Sequence, residues 1–80
     1  MPIKDAVVIR FKEICKERGI CWNDLAVRSG VTPSSVYSMA DGRRRELSIN
    51  LIKKLCDGLD MTLGEFFSTP MFDELEQEIQ

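Results

Sequence analysis

The sequence predicts an all-α protein with four or five short helices around one core. Apolar residues recur at the helical period over residues 4–18, as they do on the buried face of an amphipathic helix. Helix start signals follow at Thr32-Pro33 and at Thr62, because a hydroxyl caps the first turn and Pro suits the first helical position. No segment alternates apolar and polar residues as a half-buried strand does, and the chain has no internal repeat.

The first two helices are expected over residues 4–18 and 22–29. The inward face of the first helix is formed by Val7, Phe11, Ile14 and Cys15. Either Cys21 or Asn23 caps the second helix, and Asn is the better capping residue. Gly30 is expected to end that helix in the left-handed conformation, which Gly adopts at little cost.

The third helix is expected from Pro33 to Ala40, with Thr32 as its cap. Its inward stripe consists of Val36, Met39 and Ala40. Its opposite side carries small hydroxyls, one aromatic ring and one acid, at Ser34, Ser38, Tyr37 and Asp41. Exposed helices usually carry Glu, Lys and Gln instead. Contact with a partner would explain this composition.

Two further helices complete the expected core. The fourth begins after Ser48 or Asn50 and ends near Leu59. The fifth covers residues 63–67 and is ended by Pro70, which disfavours a helical residue before it. The loop before the fourth helix exposes Arg43, Arg44 and Arg45.

One domain is expected over residues 1–70, followed by an acidic tail or a short helix over residues 71–80. On such a helix one face would carry Phe72, Leu75 and Ile79. This apolar stripe suits either packing on its own domain or contact with a second copy of the chain.

Charge is distributed unevenly along the 80 residues, although the net charge is only -2. Residues 1–54 hold all eleven Lys and Arg against six acids, and residues 55–80 hold seven acids and no base. The basic part could therefore face a polyanion while the acidic end points away.

Composition excludes several classes of function. The chain has no His, no Gly-rich phosphate loop and no paired carboxylates in an expected pocket, so an enzyme is not expected. Its three Cys lack the spacing of a zinc site, and we expect reduced, mostly buried thiols and no cofactor. No apolar run is long enough to span a bilayer, which favours a cytoplasmic protein without a membrane partner.

The second and third helices carry the pattern of a helix-turn-helix. Two helices that cross steeply need a small residue at their contact, here Ala26, and Gly30 at the turn. Val31 would anchor the turn, and Val36 would pack the second helix of the pair against the first.

The chain resembles the Cro/C1-type helix-turn-helix family, the XRE-like or lambda-repressor-like domains of phage repressors and small bacterial regulators. The matching segments are LAVRSGVTPSSVYSMADG (25–42) and LIKKLCDGLDMTLGEFF (51–67). The resemblance extends from Val7 to Phe67. It implies a four- to five-helix domain that binds double-stranded DNA.

Carried over residue by residue, the resemblance implies that residues 33–40 form a recognition helix in the major groove. The residues approaching base edges would be Pro33, Ser34, Tyr37 and Ser38. Those near the phosphate backbone would be Trp22, Asn23, Ser35, Arg43, Arg44 and Arg45. The cap residue Thr32 is grouped with these DNA-binding residues.

The sequence departs from the family pattern in two places. Recognition helices of the family often carry Gln, Arg or Asn, which make bidentate base contacts. Serine discriminates weakly, so specificity would rest on Tyr37, on waters or on DNA shape. A buried Arg–Glu pair that some members hold between the first and third helices is replaced by Cys15 and Ala40, an apolar exchange on both sides.

Plainer interpretations fit the same residues. The three arginines could be a solvated loop, Tyr37 an exposed ring without a role, and Trp22 a core residue. Ser34 and Ser38 could be inert surface.

The expected function is sequence-specific DNA binding by a transcriptional regulator of bacterial or phage type, a repressor that acts as a homodimer. A dimer is expected because one module of this size offers little interface for tight specific binding. The alternative is an antitoxin or another interaction module that uses the same domain to bind a protein.

Overall fold

A computed structural model describes residues 1–44 and 46–79 of the chain, and confirms the all-α prediction for them. No strand occurs in these residues. The helices, in chain order, are α1 (Ile3–Arg18), α2 (Trp22–Ser29), α3 (Pro33–Met39), α4 (Ile49–Gly58), α5 (Leu63–Phe67) and α6 (Pro70–Asp73). None of the helices described is long and apolar enough to cross a membrane.

Most helices begin and end where the local signals predict. Ser48 caps α4, since its Oγ accepts hydrogen bonds from the backbone N–H groups of Asn50 at 3.1 Å and Leu51 at 3.4 Å. Cys21, rather than Asn23, occupies the cap position of α2. The carboxylate of Asp24 satisfies the N–H of Cys21 at 3.2 Å, so an acid of the first turn compensates for the poor cap.

One core joins α1 to the later helices. Its most deeply buried side chains are Phe11, Phe66, Leu25, Leu55, Leu59, Val7, Val36 and Cys56. The rings of Phe11 and Phe66 lie 4.4 Å apart between centroids. Two aromatic side chains in contact contribute about 0.5–1.5 kcal/mol beyond their buried area, so this pair fixes α5 against α1.

Two arginines of α1 hold the ends of later helices. The Nε of Arg10 donates to the carbonyl of Phe66 at 2.9 Å, and its Nη2 donates to that of Glu65 at 3.4 Å. The Nη1 of Arg18 donates to the carbonyl of Leu59. Carbonyls at helix ends have no partner within the helix, and cations there complement the helix dipole.

Ala40 does not belong to the buried stripe of α3, and that prediction was wrong. The helix ends at Met39, with Ala40 as its exposed C-cap residue. The buried side of α3 is turned toward Met39 and the half-buried Ser35. Ala40 therefore lies at the rim of an open cleft of about 210 Å³. Of the two residues expected to replace a buried Arg–Glu pair, Cys15 is buried and Ala40 is not.

The C-terminal helix is shorter than a helix over residues 71–79 would be. It ends at Asp73, and residues 75–79 are not helical. A run of acids without a base is unfavourable at a helix C-terminus, where the dipole is negative. Phe72 packs on the ring of Phe67 at 4.9 Å, whereas Ile79 is 83% exposed. Residues 70–73 therefore form the short C-terminal helix that the sequence allows, and the apolar stripe does not continue along one helix to Ile79.

Candidate nucleic-acid interface

The turn between α2 and α3 has the geometry that the helix-turn-helix pattern predicts. Gly30 has a φ of +70°, the left-handed region, and its N–H donates to the carbonyl of Val27 at 3.3 Å. The N–H of Val31 donates to the carbonyl of Ala26 at 3.1 Å. These two bonds satisfy carbonyls at the end of α2. Ala26 and Val36 are fully buried, so α2 and α3 lie close together.

The N-terminus of α3 carries a small network of hydroxyls. The Oγ1 of Thr32 lies 3.0 Å from the Oγ of Ser34 and 3.0 Å from that of Ser35. Hydroxyls can donate or accept, so the network can reorient toward either kind of partner atom. Pro33 and Ser34 are exposed, whereas Ser38 is half-buried. The most accessible part of α3 is therefore its first turn and Tyr37.

Tyr37 is the one large side chain on the exposed side of α3, with 55% of its surface accessible. Its ring lies 5.7 Å from the ring of Trp22, the first residue of α2. Trp22 is half-buried and packs against the core. The Nζ of Lys12 lies 5.9 Å from the centroid of the Trp22 ring. Trp22 therefore belongs partly to the core, and it also supports Tyr37.

The loop after α3 is ordered by its own side chains. We call its residues 41–44 the arginine loop. The Oδ1 of Asp41 accepts from the backbone N–H of Arg43 at 3.0 Å and from its Nε at 3.2 Å. The Oδ2 of Asp41 accepts from the Nη2 of Arg43 at 3.1 Å. The guanidinium of Arg43 holds the pKa of Asp41 below its usual value, and the charge of Arg43 is correspondingly balanced.

Lys4 reaches the arginine loop from the first turn of α1. Its side chain is 5% exposed, and its Nζ donates to the carbonyls of Asp41 and Arg44. No motif in the sequence marks Lys4 as a functional residue. A signal existed, because Lys4 occupies the same helical face as Val7 and Phe11, where an amphipathic helix normally carries an apolar residue.

The comparisons with known proteins agree with this geometry. The model of the Cro/C1-type helix-turn-helix DNA-binding domain matches residues 10–71. The chain belongs to this family. A solved structure, "Crystal structure of the prophage Lp1 protein 11", is similar to the chain with a TM-score of 0.82 and 26% identity, over 94% of this chain and 100% of that one. Curated proteins give no significant match to the sequence.

Membership of the Cro/C1-type family identifies the chain as a DNA-binding regulatory domain, in which α2 and α3 are the helix-turn-helix pair. Most of the residues predicted to contact DNA are exposed around α3. Asn23 does not lie on α3; it is exposed at the start of α2. Arg45 lies outside the described residues. The contacts of all these residues with DNA stay predictions.

An open cleft of about 290 Å³ separates α3 from the start of α4 in this Cro/C1-type domain. Its walls include Ser34, Ser35, Ser38, Arg44, Glu46 and Ser48. Hydroxyls and a guanidinium are suitable partners for a phosphate oxygen, while Glu46 would repel one. Within the part of the chain that the structure describes, the Arg44 side chain forms no ion pair, in contrast to that of Arg43.

The thiols of the Cro/C1-type domain do not form a metal site in the residues described. Groups of three or more potential metal ligands are absent from residues 1–44 and 46–79. Burial raises the pKa of the Cys56 thiol to about 11 and also raises that of Cys15. Both thiols are therefore protonated near neutral pH, whereas Cys21 is exposed at the start of α2.

Proposed function

We propose that this Cro/C1-type domain is a sequence-specific repressor of transcription, of bacterial or phage type, that binds a two-fold DNA site as a homodimer. The observation that carries the proposal is the accessible side of α3. It exposes Pro33, Ser34 and Tyr37 and is followed directly by the exposed Arg43 and Arg44. An exposed helix flanked by cations suits the major groove and the phosphates beside it.

Dimerisation follows from the small size of the module, since specific binding by one such domain buries little surface. Half-sites would then lie about 34 Å apart, one helical turn of DNA. An exposed apolar region at the starts of α1 and α4 supports a surface for a second copy. Ile3 and Ile49 are 47% and 60% exposed, and they line a groove of about 440 Å³ that Glu78 of the tail also borders.

Bound at such a site in the cytoplasm, the protein would exclude polymerase or another regulator. The experiment is a salt titration of binding to duplex DNA. Each phosphate neutralised contributes about -0.9 to the slope of log K against log[salt]. Replacing Arg43, Arg44 and Arg45 together by Ala should flatten the slope. An unchanged slope would remove these arginines from the interface.

Absence of binding to any sequence selected from a random duplex pool would contradict DNA recognition altogether. In that case the alternative is a domain that binds a protein, such as an antitoxin. The outward side of α3 offers one observation in its favour, since it lacks the amide and guanidinium groups that make bidentate base contacts. A stoichiometric protein partner that protects Tyr37 and Ser34 from solvent would support it.

A further inference from the structure

We propose that Lys4 is a positioning residue for DNA binding, and that it acts by fixing the backbone of the arginine loop. The proposal rests on the proposed function, because the loop matters only if its arginines contact phosphates. Lys4 itself would not touch DNA. Its ammonium group is buried against the loop, with 5% of the residue exposed.

The contacts of Lys4 define the shape of the loop. Its Nζ donates to the carbonyls of Asp41 and Arg44, which are the first and last residues of the arginine loop. The N–H of Arg44 donates to the same Asp41 carbonyl at 3.1 Å, closing a turn. One ammonium therefore joins both ends of the turn to α1. An ammonium carries three donors and no acceptor, so it is suited to bridging two carbonyl oxygens.

The side chains of the loop depend on that backbone. Arg43 and Arg44 are exposed residues of this loop, just beyond α3. A long cation on a mobile loop must be ordered at the moment of binding, and that ordering reduces the affinity. A loop already held by Lys4 places Arg44 beside the cleft between α3 and α4 before DNA arrives. Lys4 would thus strengthen binding to all sequences and carry no sequence preference.

Arg10 provides a matched control for Lys4. It lies on the same helix, carries the same charge, and also donates to two backbone carbonyls of a later segment, those of Glu65 and Phe66. Those carbonyls belong to α5, outside the helix-turn-helix and the arginine loop. Lys4→Met and Arg10→Met therefore remove comparable charge and comparable hydrogen bonds at two different places.

The first test compares the salt dependence of binding to a random-sequence duplex, well below the melting temperature of each variant. Lys4→Met should make the slope of log K against log[salt] less negative by about 0.9, as Arg44→Gln does, because one phosphate contact is lost. Arg10→Met should keep the wild-type slope. Equal changes in Lys4→Met and Arg10→Met would overturn the proposal, since they would report a general effect of charge. An unchanged slope in Lys4→Met would overturn it too.

A double-mutant cycle separates positioning from direct contact. If Lys4 acts through Arg44, Lys4→Met has no further effect on the slope in the Arg44→Gln background. If Lys4 binds a phosphate itself, the two changes add and the slope becomes less negative by about 0.9 again. Additivity would therefore contradict a positioning role.

Two measurements test the contact between Lys4 and the arginine loop even if Lys4→Met does not fold or the wild-type protein binds no DNA. In the wild type, the Nζ protons of Lys4 should exchange with water more slowly than those of the exposed Lys12, as measured by NMR. Lys4→Gln, which keeps a donor but no charge, should expose the N–H of Arg44 to faster exchange, while Arg10→Met leaves it protected. Fast exchange at Lys4 in the wild type would disprove the contact itself, independently of any DNA binding.

Discussion

The ring of Tyr37 lies 5.7 Å from that of Trp22, and the two planes meet at 52°. Tyr37 lies in the middle of α3 and is accessible over 55% of its surface, whereas Trp22 starts α2 and packs against the core. A side chain supported from behind in this way loses little conformational freedom on binding. The pair therefore makes Tyr37 a rigid element on an otherwise serine-rich surface.

This relationship predicts a specificity defect for Trp22→Leu. The change keeps apolar bulk but removes the aromatic pair, whose typical value is about 0.5–1.5 kcal/mol. Binding to a selected site should weaken by roughly two- to twelve-fold, while binding to random duplex should change little. Competition between the two duplexes measures the ratio.

Tyr37→Phe is the control for that experiment, because it keeps the ring contact and removes only the hydroxyl. It should retain most of the specificity unless the hydroxyl itself bonds to a base. Equal losses on selected and random duplexes in Trp22→Leu would show that Trp22 acts through the phosphate backbone instead.

The two described arginines of the loop should differ in their contribution to phosphate binding. Arg43 is already paired with Asp41, with 3.1 Å between Nη2 and Oδ2, whereas Arg44 makes no ion pair among the residues described. Arg44→Gln should therefore make the slope of log K against log[salt] less negative by about 0.9, the value for one full contact. Arg43→Gln should flatten the slope by less. A larger effect at Arg43 would mean that its pair with Asp41 breaks on binding at little cost.

Asp41→Asn should strengthen binding to random duplex and steepen its salt dependence. The amide oxygen can still accept from the N–H of Arg43, so the turn is kept, while the guanidinium loses its charged partner. The slope of log K against log[salt] should become more negative by up to about 0.9, the value for one additional phosphate contact. Circular dichroism would verify that the loop change leaves the helices intact, and a flatter slope would contradict the argument.

Helix boundaries could be predicted from the sequence because their causes are local. Thr62 caps α5 through the N–H of Glu65 at 3.0 Å, and Glu65 returns a bond to the N–H of Thr62 at 2.9 Å. Both residues lie within one turn, so their spacing in the sequence contains the whole interaction. The turn at Gly30 is of the same kind, since its requirement for a positive φ is a property of one residue.

Interactions between distant segments were not predictable in the same way. The two acceptors of Lys4 lie 37 and 40 residues away, and they are carbonyls, which every residue carries. In α3, which has only seven residues, the apolar spacing does not distinguish a buried last residue from an exposed C-cap, and Ala40 is the C-cap. The end of α6 at Asp73 depends on the acidic charge of the segment as well as on its apolar spacing. Each of these features concerns packing or electrostatics that the local pattern does not specify.

Acid should weaken the cap of α5. The backbone N–H of Thr62 holds the pKa of Glu65 below its usual value of 4.5. Because the folded-state pKa is lowered, the stabilisation is present above the unfolded value and is lost as pH falls through the folded value. Glu65→Gln should melt at a lower temperature than wild type at pH 7, and the difference should shrink below about pH 4.

Thermal melts of both proteins across this pH range measure the effect, with Glu76→Gln as the control. Glu76 is exposed in the tail, beyond α6. A difference between wild type and Glu65→Gln that stays constant from pH 7 to pH 3 would assign the effect to side-chain shape rather than to charge.

Gly58 should resist replacement by Ala because Ser29, at the end of α2, leaves no room for a Cβ on this residue of α4. A Cβ at Gly58 would lie 2.1 Å from the Oγ of Ser29 and 3.0 Å from its Cα. Overpacking of this kind costs about 1–3 kcal/mol, which exceeds the gain of about 1 kcal/mol that Ala offers over Gly in a helix. Gly64→Ala is the control, since its Cβ would meet only the Oγ1 of Thr62 at 3.8 Å. Urea unfolding should show Gly58→Ala destabilised and Gly64→Ala unchanged or slightly stabilised.

A second variant identifies the atoms responsible. Ser29 Oγ is buried without a hydrogen-bond partner in the described structure, so Ser29→Ala by itself should change stability little. Combined with Gly58→Ala, it removes the 2.1 Å contact but leaves the contacts at 3.0 Å with Cα and Cβ. The double variant should therefore recover part of the loss. Complete recovery would show that the two helices can separate slightly, and no recovery would place the limit at the Cα and Cβ of residue 29.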